Sequence, residues 1–211
     1  MDGFEQIARL KEKFNQPLPG LDAQNRMASR VRPLPDKIPA DARDSAVLAL
    51  LYPHDESLAI LLIKRIDDGK AHSGQISFPG GRKDPEDIDL AATALRETNE
   101  EVGIHPTQIE VLGGLTSLYI PVSNSQVHPY VGFSMQKQQY TLSPGEVQYT
   151  LDVPIRELFD NNKKIVTHIT PAAFPTITLK APAYKLDDDH LVWGATAMIL
   201  SELEVMFESI A

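Results

Sequence analysis

Two aliphatic runs constrain the fold of this chain most strongly: AVLALLY at residues 46–52 and LAILLI at 58–63, joined by PHDES at 53–57. Each has strand length, and two such runs flanking an Asp/Pro/Ser turn read as a strand pair. Further strands are expected over residues 109–117, 127–133 and 149–153. Helices are expected from about 90 to 102 and from about 195 to 209. Looser helical spacing covers 4–15, where Phe4, Ile7, Ala8, Leu10 and Phe14 stand among charges. Strands mixed with helices in 211 residues imply an α/β layered domain. Pro17, Pro19, Pro33, Pro35 and Pro39 exclude one long helix or a central strand between them. Residues 1–40 are therefore expected to form a helix and an extended proline-rich arm wrapped on the surface, ahead of a domain spanning 41–211.

Charge narrows the function. Twenty Lys and Arg against 29 Asp and Glu give a net charge of −9, which repels phosphate backbones and excludes a generic nucleic-acid coat. A small anionic substrate stays compatible, because a bound divalent cation inverts the local sign of a site. There are no cysteines, so disulfides, zinc–thiolate sites, iron–sulfur clusters and cysteine nucleophiles are all excluded. No apolar stretch approaches the roughly 20 residues that span a bilayer. The opening residues lack a secretory signal, so a cytoplasmic protein is expected. The arm and the apolar C-terminal helix (Met198, Leu203, Val205, Met206, Phe207) leave room for a homodimer. Walker A loops, G-x-S-x-G elbows and H-E-x-x-H pairs are absent.

The chemistry-bearing segment is FPGGRKDPEDIDLAATALRETNEEVGI, residues 78–104. Its helix can be capped by Asp87 or Asp89 and closed by Gly103. Within it Glu97, Glu100 and Glu101 lie at roughly 0°, −60° and +40° around the helix axis. Ala91, Leu95, Thr98 and Val102 fall opposite and are expected to pack. Like charges three and four residues apart destabilise a helix by about 0.2–0.5 kcal/mol per pair, and here they crowd its negative end. A bare acidic run would read as a solvated face. The Gly-Gly loop upstream, Arg96 and Gly103 argue instead for a carboxylate site that takes a hard, oxygen-loving ion such as Mg²⁺ or Mn²⁺.

RETNEEVGI at 96–104 resembles the second half of the Nudix box, with Thr98 where an aliphatic residue is usual. The first half departs from the common spacing. The glycine and acid of the family would fall at 82 and 88, where this chain has Arg82 and Ile88. Gly80 or Gly81, and Glu86, Asp87 or Asp89, take those roles across a longer loop. That lengthening resembles the coenzyme A pyrophosphatase branch. So does LLIKRIDDGKAHSGQISFPGG at 61–81, with Arg65, His72, Gly74, Phe78, Pro79, Gly80 and Gly81 in place and Lys70 where the branch has arginine. Residues 145–158 and 191–200 extend the likeness to about 45–200.

The resemblance implies a Nudix fold, a mixed β-sheet sandwiched between helices, and metal-dependent hydrolysis of a nucleotide pyrophosphate. It implies Glu97 and Glu101 as metal ligands with Glu100 as ligand or base. Arg96 would hold a box glutamate in place, and Gly80 and Gly81 would let the backbone approach metal or phosphate closely. Glu146 is the candidate for a further glutamate from a later loop; an exposed turn acid is the alternative. Arg65 and Lys70 would hold the 3′-phosphate of coenzyme A, against a reading as surface cations. His72 would orient the loop before Phe78, and Trp193 reads as core or as an adenine-stacking ring. The products would be 3′,5′-ADP and 4′-phosphopantetheine or its acyl form. The alternatives are the same reaction on ADP-ribose, a dinucleoside polyphosphate or capped RNA, and a catalytically silent nucleotide sensor.

Overall fold

A computed structural model describes residues 2–29, 38–69, 72–171 and 176–210. In chain order the elements begin with α1 (Gly3–Lys13), α2 (Gly20–Asn25), β1 (Arg43–His54), β2 (Ser57–Arg65), β3 (Ile76–Ser77) and β4 (Gly80–Arg82). There follow α3 (Leu90–Val102), β5 (Glu110–Gly114), β6 (Leu118–Ile120), β7 (Ser125–Phe133) and β8 (Val147–Pro154). The last are α4 (Ile155–Leu158), β9 (Lys164–Ile169), β10 (Leu179–Lys185), β11 (Leu191–Trp193) and α5 (Gly194–Glu208).

The two aliphatic runs lack polar alternation because both faces of their strands are covered. Successive side chains of a strand point to opposite faces. Ala49 and Leu51 of β1, with Leu58, Ile60 and Leu62 of β2, enter one core together with Leu200, Leu203 and Met206 of α5. Their neighbours Ala46, Leu48, Leu50, Ala59, Leu61 and Ile63 enter a second core against Ala94 and Val102 of α3. The hairpin between them pairs Leu51 with Ile60 and His54 with Ser57, and Asp55 takes the left-handed turn position at φ 49°. Asp is among the few non-glycine residues that tolerate that conformation.

The main sheet is mixed. Its path runs β3, β2, β1, β7, β5, with β1 and β7 parallel and the other pairings antiparallel. β4 also pairs with β1, β6 with β7, and β8 with β2. α3 lies on one face and α1 and α5 on the other, which is the helix–sheet–helix arrangement expected. β9, β10 and β11 form a separate antiparallel sheet that the sequence reading did not anticipate.

Three expectations are corrected. The proline-rich arm is not extended throughout, since residues 20–25 form α2, which packs beside α5 with Ala23 and Gln24 buried. Residues 30–37 of the arm lie outside the described residues. The strand expected over 109–117 ends at Gly114: the Leu115 N–H still donates to the Pro129 carbonyl of β7, but that proline has no N–H to return, and pairing resumes only in β6. The apolar residues of α5 expected to leave room for a homodimer are mostly taken up by the chain itself: Met198, Leu203, Met206 and Phe207 are buried in its own core, and Val205 is half-buried. Among the described residues no helix is long and apolar enough to cross a membrane.

Candidate active site

α3 begins and ends with side chains that act locally. Asp89 is its N-cap, accepting from the Ala92 N–H at 2.7 Å. Gly103 closes it at φ 77°, where a Cβ would press within 2.8 Å of Thr141. The last carbonyls of the helix do not go unpaired. Those of Glu101 and Val102 accept from the N–H groups of Ser143 and Thr141. These bonds pin the loop that carries Glu146 against the end of α3, and the Glu146 carbonyl in turn accepts from Ile66 at 3.0 Å.

Asp87, left free of capping by Asp89, is gripped by Arg96. The Arg96 Nε donates to its Oδ1 at 2.9 Å and Nη2 to its Oδ2 at 3.0 Å, a bidentate pair. Thr93 Oγ1 and the Asp84 N–H complete its partners. The Arg96 bonds hold the Asp87 carboxyl well below the usual carboxylate range. Of the three acids the sequence left open, Asp87 is thus the one joined to the box. Ile88, at the position of the family's acid, is 90% exposed.

The same guanidinium reaches three further groups. Nη1 donates to Glu97 Oε1 at 3.1 Å and to Glu100 Oε2 at 3.0 Å, and Nη2 to the Arg82 carbonyl at 2.9 Å. Arg96 therefore holds two box glutamates. Glu97 Oε2 and Glu100 Oε1 have no protein partner among the described residues.

Glu101 departs from the expected acidic face. It is 2% exposed and sits on the packed side of α3 with Ala94, Thr98 and Val102, while Ala91 and Leu95 are only half-buried. The buried arc is rotated toward Glu101 because that carboxylate has dedicated partners. Arg65 Nη1 donates to Oε1 at 2.9 Å, and the Gly80 N–H donates to Oε2 at 2.9 Å. Burial still outweighs both and pushes Glu101 up to about 7. Glu97 is likewise raised, first by burial and then by the charges of Glu100 and Glu146, against the pull of Arg96. Carboxylates that repel one another and keep oxygens spare have the donor chemistry of a hard-cation site. Among the described residues no three acids or histidines are already closed into a ligand set: the two arginines and Gly80 engage oxygens of all three glutamates.

β4 lies between these carboxylates and a cavity. Gly81 is level with Ala46 on the α3 face, and a Cβ there would lie 2.4 Å from the Glu97 carboxyl carbon. Gly80 holds φ 152°, and its Cβ would lie 2.4 Å from the Ala46 carbonyl oxygen. Arg82, level with Ser45, lines the cavity on the α5 face and has no carboxylate partner among the described residues. The cavity measures about 360 Å³ and is also lined by Arg65, His72, Phe78, Gly80 and Gly81.

Arg65, Gly80, Gly81, Arg96, Glu97, Glu100 and Glu101 are therefore brought together. Glu146 is exposed on its turn, close enough for its charge to bear on Glu97. Lys70 lies outside the described residues. Arg65 holds Glu101 as well as lining the cavity, and His72 bonds Gln75. Trp193, preceding α5, does not line the cavity. The sequence reading missed Arg82; a cation following Gly-Gly, one alternation out of phase with Gly81, was the available signal.

The NUDIX domain of a family-wide sequence comparison matches residues 42–167. A Photorhabdus laumondii protein, "Uncharacterized Nudix hydrolase NudL", is 30% identical over 86% of this chain and 94% of its own length. A Schizosaccharomyces pombe protein described as a probable nudix hydrolase is 32% identical over 75% of this chain, which spans 54% of that relative. The mouse "Peroxisomal coenzyme A diphosphatase NUDT7" is 39% identical over 52% of this chain and 46% of its own length. A crystal structure of an Enterococcus faecalis MutT/nudix family protein aligns with a TM-score of 0.50 at 18% identity, over 81% of this chain and 63% of that one.

Proposed function

The chain belongs to the Nudix hydrolase family, and from that premise we propose that it cleaves the pyrophosphate of coenzyme A or its thioesters into 3′,5′-ADP and a 4′-phosphopantetheine product. The observation that carries this reading is the meeting of two segments. Residues 61–81, which resemble the coenzyme A signature, supply Arg65, His72, Phe78, Gly80 and Gly81 to a cavity adjoining the Nudix carboxylates. The similarity to the mouse coenzyme A diphosphatase over half the chain supports the same substrate.

Glu97 and Glu100, with oxygens to spare, would hold a divalent cation together with Glu101; Mg²⁺ and Mn²⁺ fit an all-carboxylate set. Such an ion, when bound, neutralises pyrophosphate charge and makes a water more acidic. The protein's own residues do the rest. Arg96 fixes Glu97 and Glu100 against each other, and Gly81 leaves room for the Glu97 carboxylate to lie on the strand. Water attacks one phosphorus, the bridging P–O bond breaks, and the leaving phosphate ester departs with its electron pair. Glu100 or Glu146 takes the proton of the attacking water. Arg65, Arg82 and Lys70 supply positive charge for the phosphates.

Incubation of the protein with coenzyme A, with and without Mg²⁺ or Mn²⁺, followed by mass spectrometry, tests the reading. Both products are expected with metal only. Intact coenzyme A beside turnover of another nucleotide would move the substrate assignment and keep the reaction.

A further inference from the structure

The connection between β7 and β8, residues 134–146, contains neither helix nor strand, yet it carries Glu146. Irregular connections of that length are uncommon and most often serve a site. Its two ends lie far apart on the sheet. The Ser134 N–H donates to the Leu51 carbonyl, level with Ile60, whereas Val147 is level with Arg65, five residues further along β2. At about 3.4 Å per residue the chain travels roughly 17 Å before it reaches the carboxylates.

At the far end backbone bonds take hold. The Thr141 and Ser143 N–H groups donate to the Val102 and Glu101 carbonyls at 2.9 and 3.0 Å, and the Ser143 carbonyl accepts from Glu146 and Val147. Two bonds to one helix end fix a distance and leave a loop free to swing about that end. Along the way, side chains restrain it. Gln138 bonds Ser134 and Gln108 at an exposed surface. Lys137 and Tyr140 both reach Asp152 of β8, whose register partner is Leu61 of the second core.

Asp152 joins that loop to the sheet. The Tyr140 hydroxyl donates to its Oδ1 at 2.6 Å, and the Tyr52 hydroxyl of β1 donates to the same oxygen. The Lys137 ammonium donates to Oδ2 and stands 5.9 Å from the centroid of the Tyr140 ring. Tyr52 is buried in the second core, and the Tyr140 ring packs against that core. The carboxylate is thus fastened to β1 on one side and to the loop on the other. Tyr140 immediately precedes Thr141, the first residue bonded to α3.

We propose that the Tyr140–Asp152 contact is a positioning clamp that holds Glu146 at the α3 carboxylates, neither residue touching a reacting atom itself. It rests on the reading of Glu146 as the acceptor of the proton from the attacking water.

The two tyrosines separate positioning from general support, because both hydroxyls meet one oxygen and only one of them rides on the loop. Tyr140→Phe keeps the ring and is expected to lower kcat about tenfold with KM within about twofold, as a small misplacement of a reacting group does. Tyr52→Phe should cost at least as much in melting temperature and leave kcat unchanged. Glu146→Gln should lower kcat, and adding Tyr140→Phe to it should cost nothing further. Amide hydrogen exchange at Thr141 and Ser143 should quicken in Tyr140→Phe and not in Tyr52→Phe. An unaltered kcat in Tyr140→Phe, equal losses in both tyrosine variants, additive losses with Glu146→Gln, or unchanged exchange overturns the clamp while the hydrolytic reading stands. A wild-type kcat in Glu146→Gln removes Glu146 as acceptor and the clamp with it. Should coenzyme A stay intact, the same series is run on the nucleotide that is cleaved; cleavage of none removes reaction and clamp together.

Discussion

Helices α3 and α5 cover opposite faces of the main sheet, and both bury glutamates, with opposite outcomes. On α5, Glu202 is fully buried and saturated by neutral donors. Its Oε1 accepts from the Gly20 N–H and Thr116 Oγ1, and its Oε2 from Gln24 Nε2 at 2.8 Å. Glu204 is paired with Lys164 at 2.6 Å and accepts from Tyr184. These carboxylates fasten α2, the 115–116 turn and the second sheet to the core. On α3, Glu97 and Glu100 share one guanidinium and each keeps an oxygen spare, beside a buried Glu101 that is held by Arg65 and the Gly80 N–H. Burial of an acid is therefore not the mark of a site; convergence of like charges with unspent lone pairs is.

The sharpest way to break that contrast is to neutralise one acid on each helix. Glu100→Gln is expected to lower kcat by about 10²–10⁴-fold, the range for loss of an acid–base group, with the melting temperature almost unmoved. Steady-state kinetics on the folded variant checks it, and a kcat near wild type would return the α3 acids to a structural role. Glu202→Ala should do the reverse. It strands several buried donors, at about 1–3 kcal/mol each, so denaturant titration should show a loss of roughly 3–5 kcal/mol with kcat retained. A stability within 1 kcal/mol of wild type would refute the fastening role.

Acidity gives a further test on α3. In metal-free protein Glu101 is held up at about 7 against 4.5 in an unfolded chain. Between those values the native state keeps a proton that the unfolded state has released. Stability therefore falls as pH rises through the window and levels off above it. The drop is on the order of 3 kcal/mol, at about 1.36 kcal/mol per pKa step. Urea titrations in chelator from pH 4.5 to 7.5 should show that slope, and Glu101→Gln should remove it; the same slope in both proteins would assign it elsewhere.

The smallest change asked of the molecule is one methyl group. Gly81→Ala meets only the carboxylate end of a flexible side chain, so it should displace Glu97 and cost about tenfold in kcat/KM with under about 1 kcal/mol of stability. Gly80→Ala meets backbone at a φ reserved for glycine and should destabilise by about 1–3 kcal/mol. Equal effects at the two glycines would contradict the alternation along β4.

What was legible in the sequence follows the same physics. β1, β2, α3 and α5 announce themselves through runs long enough to show a period or a continuous apolar core. β4, β6 and β11 have three residues each, too few to display alternation, and α2 is hidden among prolines because its stability comes from packing on α5. The box glutamates and Arg96 were readable as a pattern. The inward turn of Glu101 was not, because it depends on Arg65 and Gly80, 36 and 21 residues earlier in the chain. Glu202 and Glu204 were invisible for the same reason: their donors come from α2, the 115–116 turn, β9 and β10.

The departure of this chain from the common glycine-to-acid spacing has a simple mechanical meaning. Arg96 takes hold of the loop at both ends, at the Arg82 carbonyl and at the Asp87 carboxylate. The intervening residues, among them Lys83 and Asp84, then make a detour whose length the helix does not feel. The register of the site is gauged across space by one guanidinium and not counted along the backbone. Residues inserted between those two grips should enlarge the detour, whereas a residue inserted between Gly80 and Arg82 would turn the arginine toward Glu97 and a glycine toward the cavity.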